Sequence, residues 1–152
     1  MTKEIQLTQS KIALVDDEDF EYLNQWKWHL SNGYAVRNSG KWPKQKHIFM
    51  HRDIVNTPNG MDTDHKDMNR LNKQRDNLRV CTRAENRHNQ GIPKNSNNKY
   101  KGICWTGTGW KAQIKVNGKK IHLSVHKNKE DAARAYDQAA TKHFGEFAKT
   151  NF

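Results

Sequence analysis

Cysteine is scarce in this 152-residue chain. The two residues present, Cys81 and Cys104, have no CxxC spacing. This excludes a zinc knuckle and a disulfide framework, and each thiol is expected as a small apolar residue in or beside a strand. Long apolar runs are missing as well. Hydrophobic residues make up 34% of the chain, mean hydropathy is -1.13, and no stretch approaches membrane-spanning length. No signal-peptide pattern opens the chain, so a soluble cytoplasmic protein is expected. One large core is excluded by the same figures, but five Trp, four Tyr and five Phe suffice to anchor small ones.

Negative charge is also in short supply. Sixteen Asp and Glu face 27 Lys and Arg, giving a formal net charge of +11. The imbalance is uneven: residues 1–30 carry net -3, residues 31–98 carry +7 and residues 99–152 carry +7. Basic charge over two successive regions suits an extended polyanion partner.

The chain opens with an extended stretch, Ile5–Val15. The acidic run Asp16–Asp19 follows, placed for a helix N-terminus with Asp16 as its cap. Ser31-Asn32-Gly33 lies between the alternating segments Trp26–Leu30 and Tyr34–Arg37 and predicts a hairpin. Ile48–Val55 reads as a short helix with Met50 and Ile54 on one face, ended by Thr57-Pro58-Asn59-Gly60. His51 is either a DNA contact or a packed structural histidine. Residues 88–99 lack apolar periodicity and read as a linker.

Chemistry concentrates between Asp64 and Asn86. Asp64-His65 precedes a polar loop; Asn77-Leu78-Arg79-Val80 is strand-like; Thr82-Arg83-Ala84-Glu85-Asn86 opens a helix. A carboxylate, an imidazole and two carboxamides meet the needs of a one-metal phosphodiester hydrolase: hard oxygen ligands and a base near neutral pH. These residues resemble the HNH nuclease family, in the variant that ends in Asn rather than His. The resemblance implies that Asp64 and Asn86 ligate a divalent cation, Mg²⁺ or Mn²⁺, and that His65 is the general base. It also implies that Asn77 supports the His65 loop, and that a bend lets Asp64 and His65 share a site although neighbours on a strand diverge. Arg52, after Met50-His51, and Arg79 are expected to contact DNA. His88 lies about 200° around the helix from Asn86 and reads as a phosphate contact or a bystander. Asn89 and Gln90 share the face of Asn86 better, as supplementary candidates or as the start of the linker.

Beyond Tyr100, Lys111, Gln113 and Lys115 alternate with Trp110, Ala112, Ile114 and Val116. Asn117-Gly118 marks a hairpin. The return strand is read with Ile121, Leu123 and Val125 on one face and Lys120, His122 and Ser124 on the other. Asn128 is placed to cap a helix lined by small residues and ended by Gly145. The segments Tyr100-Lys101-Gly102-Ile103, Trp110-Lys111-Ala112, Ala132-Ala133-Arg134-Ala135-Tyr136-Asp137 and Thr150-Asn151-Phe152 resemble the AP-two DNA-binding domain of plant ethylene-response factors. In that family a sheet reads the major groove, which makes Lys101, Lys111, Gln113, Lys115, Lys120 and His122 the DNA-binding candidates. Several stand where the family has Arg, Glu or Trp; Lys lacks the bidentate fork of Arg, so the plant target site does not carry over.

The expected fold is α+β: a small HNH (ββα-metal) nuclease module followed by a three-stranded antiparallel sheet packed on one helix. Its divisions are residues 1–91 (N-terminal helix and hairpin region 1–47, catalytic core 48–91), a linker at 92–98, and a DNA reader at 99–152. The expected activity is a metal-dependent DNA endonuclease of the homing or mobile-element type, acting in a bacterium or a phage-infected host and nicking one strand per active site. Its partner is double-stranded DNA, with no membrane or protein partner, and it acts as a monomer or weak dimer. The runner-up is a catalytically inactive, sequence-specific DNA-binding regulator.

Overall fold

The computed structural model describes residues 1–92 and 98–152; of the linker expected at 92–98, residues 93–97 lie outside the described residues. The chain divides into two compact units, Met1–Asn86 and Arg87–Phe152.

The first unit begins with a hairpin of β1 (Thr2–Gln6) and β2 (Ile12–Asp16), followed by α1 (Asp17–Leu23). Strands β3 (His29–Ser31), β4 (Tyr34–Ser39) and β5 (Lys46–Phe49) form an antiparallel meander. Asn32 and Gly33 turn the first corner with φ of 49° and 80°, the positive pair a two-residue hairpin needs. Helix α2 (Met50–Ile54) is shorter than the sequence suggests. Ile48 and Phe49 belong to β5, because Arg37 and Val36 of β4 offer them a ladder, and tertiary pairing overrides local helical periodicity.

Strands β6 (Asp62–His65) and β7 (Leu78–Cys81) then pair antiparallel, and α3 (Arg83–His88) follows. A capping box starts α3: the Glu85 carboxylate accepts the Thr82 N–H at 2.7 Å and the Thr82 hydroxyl accepts the Glu85 N–H at 3.2 Å. One core joins these pieces, with Val15, Leu23 and Met50 fully buried. Burial of each contributes about 1.5–3 kcal/mol.

Asp16 precedes α1, but its side chain makes no capping bond. Its carboxylate instead accepts the Arg75 N–H at 2.7 Å and the Gln74 amide at 3.3 Å. Asp19, buried, takes Arg75 Nε and Nη2 at 2.8 and 2.6 Å. The acidic run therefore grips the β6–β7 loop rather than merely solvating a helix end.

In the second unit β8 (Ile103–Trp105), β9 (Trp110–Val116) and β10 (Lys119–His126) form a sheet of order β10-β9-β8, and α4 (Lys129–Phe144) packs on it. Ala132, Ala133, Tyr136 and Ala140 are the buried face of α4, small enough for close approach. Gly102, at φ +77°, lies under Tyr136: a Cβ there would stand 1.8 Å from the ring. The Asn128 side chain reaches Asp131 at 3.3 Å and makes no capping bond. Asn151 clasps the start of the unit, accepting the Lys101 N–H at 2.6 Å and donating to Asp137 at 2.8 Å.

The return strand departs from strict alternation. His122 pairs with Gln113, but the next pairs are Ser124 with Ala112 and Val125 with Lys111, with a bulge between His122 and Ser124. An extra residue inverts the period. Val125 thus joins Lys111 on the open face, 53% exposed, and Ser124 turns toward the helix side, the reverse of the simple reading.

Among the described residues no helix is long and apolar enough to cross a membrane.

Candidate active site and nucleic-acid interface

The loop between β6 and β7 is held from within. Asn77 donates through Nδ2 to Asp67 Oδ1 (2.9 Å) and the Asn72 carbonyl (3.0 Å), while its Oδ1 accepts the Asp67 N–H (3.0 Å). Partial burial pushes the Asp67 carboxyl upward, but hydrogen bonds from Asn72, Asn69 and Asn77 bring it below the usual carboxylate range. Asn77 thus pins the residues directly after His65.

Strand β6 runs unbroken through the Asp-His pair, with Asp64 opposite Arg79 and His65 opposite Leu78. The expected bend is absent, so alternation sends the carboxylate and the imidazole to opposite faces. The carboxylate still acts on the ring electrostatically, raising its proton affinity.

One face carries the candidate oxygen ligands. Asp62 and Asp64 share it by alternation, and the Asn86 amide donates to Asp62 Oδ2 at 3.2 Å. Asn86 therefore meets Asp62 directly. Asp62 thereby joins the candidate residues, and Asp-x-Asp on one strand was the available signal in the sequence. Burial pushes the Cys81 thiol up to about 11, and Asp64, Asp62 and Glu85 add to the effect. Among the described residues no three His, Cys, Asp or Glu side chains form a metal-holding group. The set of two carboxylates and one carboxamide is nonetheless all hard oxygen, the donor chemistry that Mg²⁺ or Mn²⁺ takes and zinc does not favour.

The other face carries imidazoles and one lysine. His65 and His51 are buried, with ring centroids 5.1 Å apart. Lys73 Nζ lies 3.0 Å from His65 Nε2 and 3.2 Å from His51 Nδ1, and 5.4 Å from the Tyr34 ring centre. Burial, then the Lys73 charge, pushes His65 down to about 4 and His51 to about 2. Burial, then Arg70, pushes Lys73 itself down to about 7. His51 is a packed residue of this cluster. Nothing in the sequence singles out Lys73, since lysine is almost never fully buried.

The remaining candidates differ in their freedom. Arg79 donates to Asp64, and Arg52 donates to the Met61 and Pro58 carbonyls at 2.8 and 3.3 Å. Lys101 Nζ donates to the His88 and Gln90 carbonyls, each at 2.7 Å. These three side chains are held by protein groups. His88 stacks on Phe144, with ring centres 3.7 Å apart, and Asn89 is buried rather than opening a polar linker. On the open face of the second unit, by contrast, Lys115 stands directly opposite Lys120 and Gln113 opposite His122, in line with Lys111. Like charges facing across a ladder cost stability unless an anion joins them.

A hairpin bearing Asp62, Asp64 and His65, followed by a helix bearing Asn86 in so basic a chain, is an arrangement that suits a nuclease. A family model described as HNH endonuclease matches residues 56–88. An uncharacterised HNH endonuclease of Acanthamoeba polyphaga mimivirus is 31% identical over 144 residues, covering 91% of this chain and 74% of that protein. Protein 3.8 of Escherichia phage T7 is 32% identical over 94 residues, 60% of this chain and 77% of its own length. An ethylene-responsive transcription factor of Medicago truncatula is 38% identical over 71 residues, 45% of this chain but 30% of that protein. The chain belongs to the HNH endonuclease family. It is an enzyme whose partner is DNA, and HNH nucleases generally use divalent metal ions.

Proposed function

We propose that the protein is a two-module DNA endonuclease of the homing or mobile-element type that nicks one strand per active site. Residues 1–91 cut, residues 99–152 read duplex DNA, and tethering raises the effective concentration of the cutter at the site. The observation that supports the reading is the shared face of Asp62, Asp64 and the Asn86 amide; His65 lies on the other face at the end of β6, so the reading needs a phosphate that meets both faces there.

Asp64 and Asn86, joined by Asp62, hold a divalent ion, Mg²⁺ or Mn²⁺. When bound, such an ion supplies positive charge to the phosphate and the departing 3′ oxygen. His65, neutral near pH 7, takes the proton of the attacking water. Asn77 holds the loop that places His65. Lys111, Lys115, Lys120, Gln113 and His122 meet the DNA, while Arg52, Arg79 and Lys101, held by protein groups, brace the fold rather than contact it. The enzyme works as a monomer or weak dimer, and a double-strand break takes two copies.

Supercoiled plasmid incubated with the protein and Mg²⁺ or Mn²⁺ tests this. Open circles that vanish with chelator are expected. Tight, specific binding without nicking in either metal would establish the inactive regulator instead.

A further inference from the structure

Lys73 is the largest fully buried side chain in the described structure. Its backbone is fixed where the β6–β7 loop meets β2: the Lys73 N–H donates to the Leu14 carbonyl at 2.7 Å, and the Leu14 N–H to the Leu71 carbonyl at 2.9 Å. Asn72 forms a parallel bridge with Leu14 between those bonds. The side chain is thereby aimed inward, and its Nζ ends between the rings of His51 and His65. A hydrophobic residue of similar length would fill this space at less cost in desolvation.

An ammonium donates and cannot accept. Its two ring partners, His51 Nδ1 and His65 Nε2, must therefore both present lone pairs. That assigns the ring protons to His51 Nε2 and His65 Nδ1. We propose that Lys73 is a positioning residue for DNA cleavage, fixing His65 as a neutral imidazole whose Nε2 is the accepting nitrogen. During reaction a water replaces the ammonium as donor to Nε2; its O–H proton passes to that nitrogen as its oxygen bonds to phosphorus and the 3′ oxygen leaves. Lys73 keeps its bond to His51 meanwhile. The assignment belongs to the ammonium, which prevails below about pH 7; the neutral amine carries a lone pair and could accept from either ring.

The inference rests on His65 being the base, and its test separates the two ideas. Nitrogen-15 imidazole spectra of the full-length protein should show His65 protonated at Nδ1 and His51 at Nε2. The variant Lys73→Met, close in shape but without donors, should lose the single His65 tautomer. Its nicking turnover should fall about 10–100-fold, the usual effect of losing an orienting partner, with DNA affinity unchanged. Wild-type His65 protonated at Nε2 would overturn the proposal, as would wild-type turnover with an unchanged tautomer in Lys73→Met. If that variant does not fold, the wild-type spectrum decides alone. If the wild type does not nick, the base assignment fails; if it nicks but His65 is protonated at Nε2, the Lys73 proposal alone fails.

Discussion

Arg79 places both Nε and Nη2 on a single oxygen of Asp64, Oδ2, at 2.8 and 2.6 Å. Both side chains are buried almost completely, so the guanidinium neutralises the carboxylate inside the protein. Arg79→Ala should therefore destabilise the fold by about 3 kcal/mol, because it leaves a buried charge behind. Urea unfolding measures this. The salt slope of DNA binding should stay unchanged, and a slope lower by about one unit would make Arg79 a direct phosphate contact after all.

His65→Ala removes the proposed base. Nicking should fall by roughly 10²–10⁴-fold while the Kd for duplex DNA is retained. Gel-based nicking and fluorescence anisotropy on the same preparation check the pair of outcomes, and cleavage at the wild-type rate would end the assignment.

The oxygen face gives a graded series. Asp62→Ala, Asp64→Ala and Asn86→Ala should each move the Mg²⁺ midpoint of nicking upward, the two carboxylates more than the neutral amide. Unshifted midpoints in all three would remove these residues from metal binding.

Stability should fall on acidification. His51 and His65 have folded values of about 2 and about 4 against an ordinary 6.5, so between pH 6.5 and 4 the unfolded chain binds protons that the folded chain refuses. The stability they confer is present above 6.5 and is lost as pH drops, at about 1.4 kcal/mol per pH unit for each ring. Urea titrations at several pH values measure the slope, and His51→Phe should roughly halve it.

Lys115 and Lys120 face each other across β9 and β10. Replacing both with Ala should have opposite effects on two observables: a few tenths of a kcal/mol gained in thermal stability, and weaker DNA binding with a salt slope lower by roughly one to two units. Loss of stability together with unchanged affinity would place the reading surface elsewhere.

Local chemistry was legible where neighbours in sequence decide the structure. Asn32-Gly33 and Asn117-Gly118 turn their hairpins, and the Thr82–Glu85 box starts α3 as its spacing dictates. What escaped depended on distant partners. Asp16 resembles a cap until the Arg75 N–H claims it. Ile48 follows a helical period until β4 supplies a ladder. The bulge before Ser124 inverts a pattern that alternation alone makes look regular. At the candidate site, residue types mark out β6, β7 and α3, but the pairing of Asn86 with Asp62 and the burial of Lys73 arise from how separate segments close on one another.

The grip of Asp16 and Asp19 on Gln74 and Arg75 also limits how this nuclease can be transplanted. The loop that delivers Lys73 and pins Asn77 is anchored to an acidic segment more than fifty residues earlier, and to Leu14 beside it. A cassette cut at the hairpin and helix alone would carry the catalytic letters without the clamp that arranges them. The smallest portable cutter therefore begins with β1, and grafting designs should carry that hairpin along.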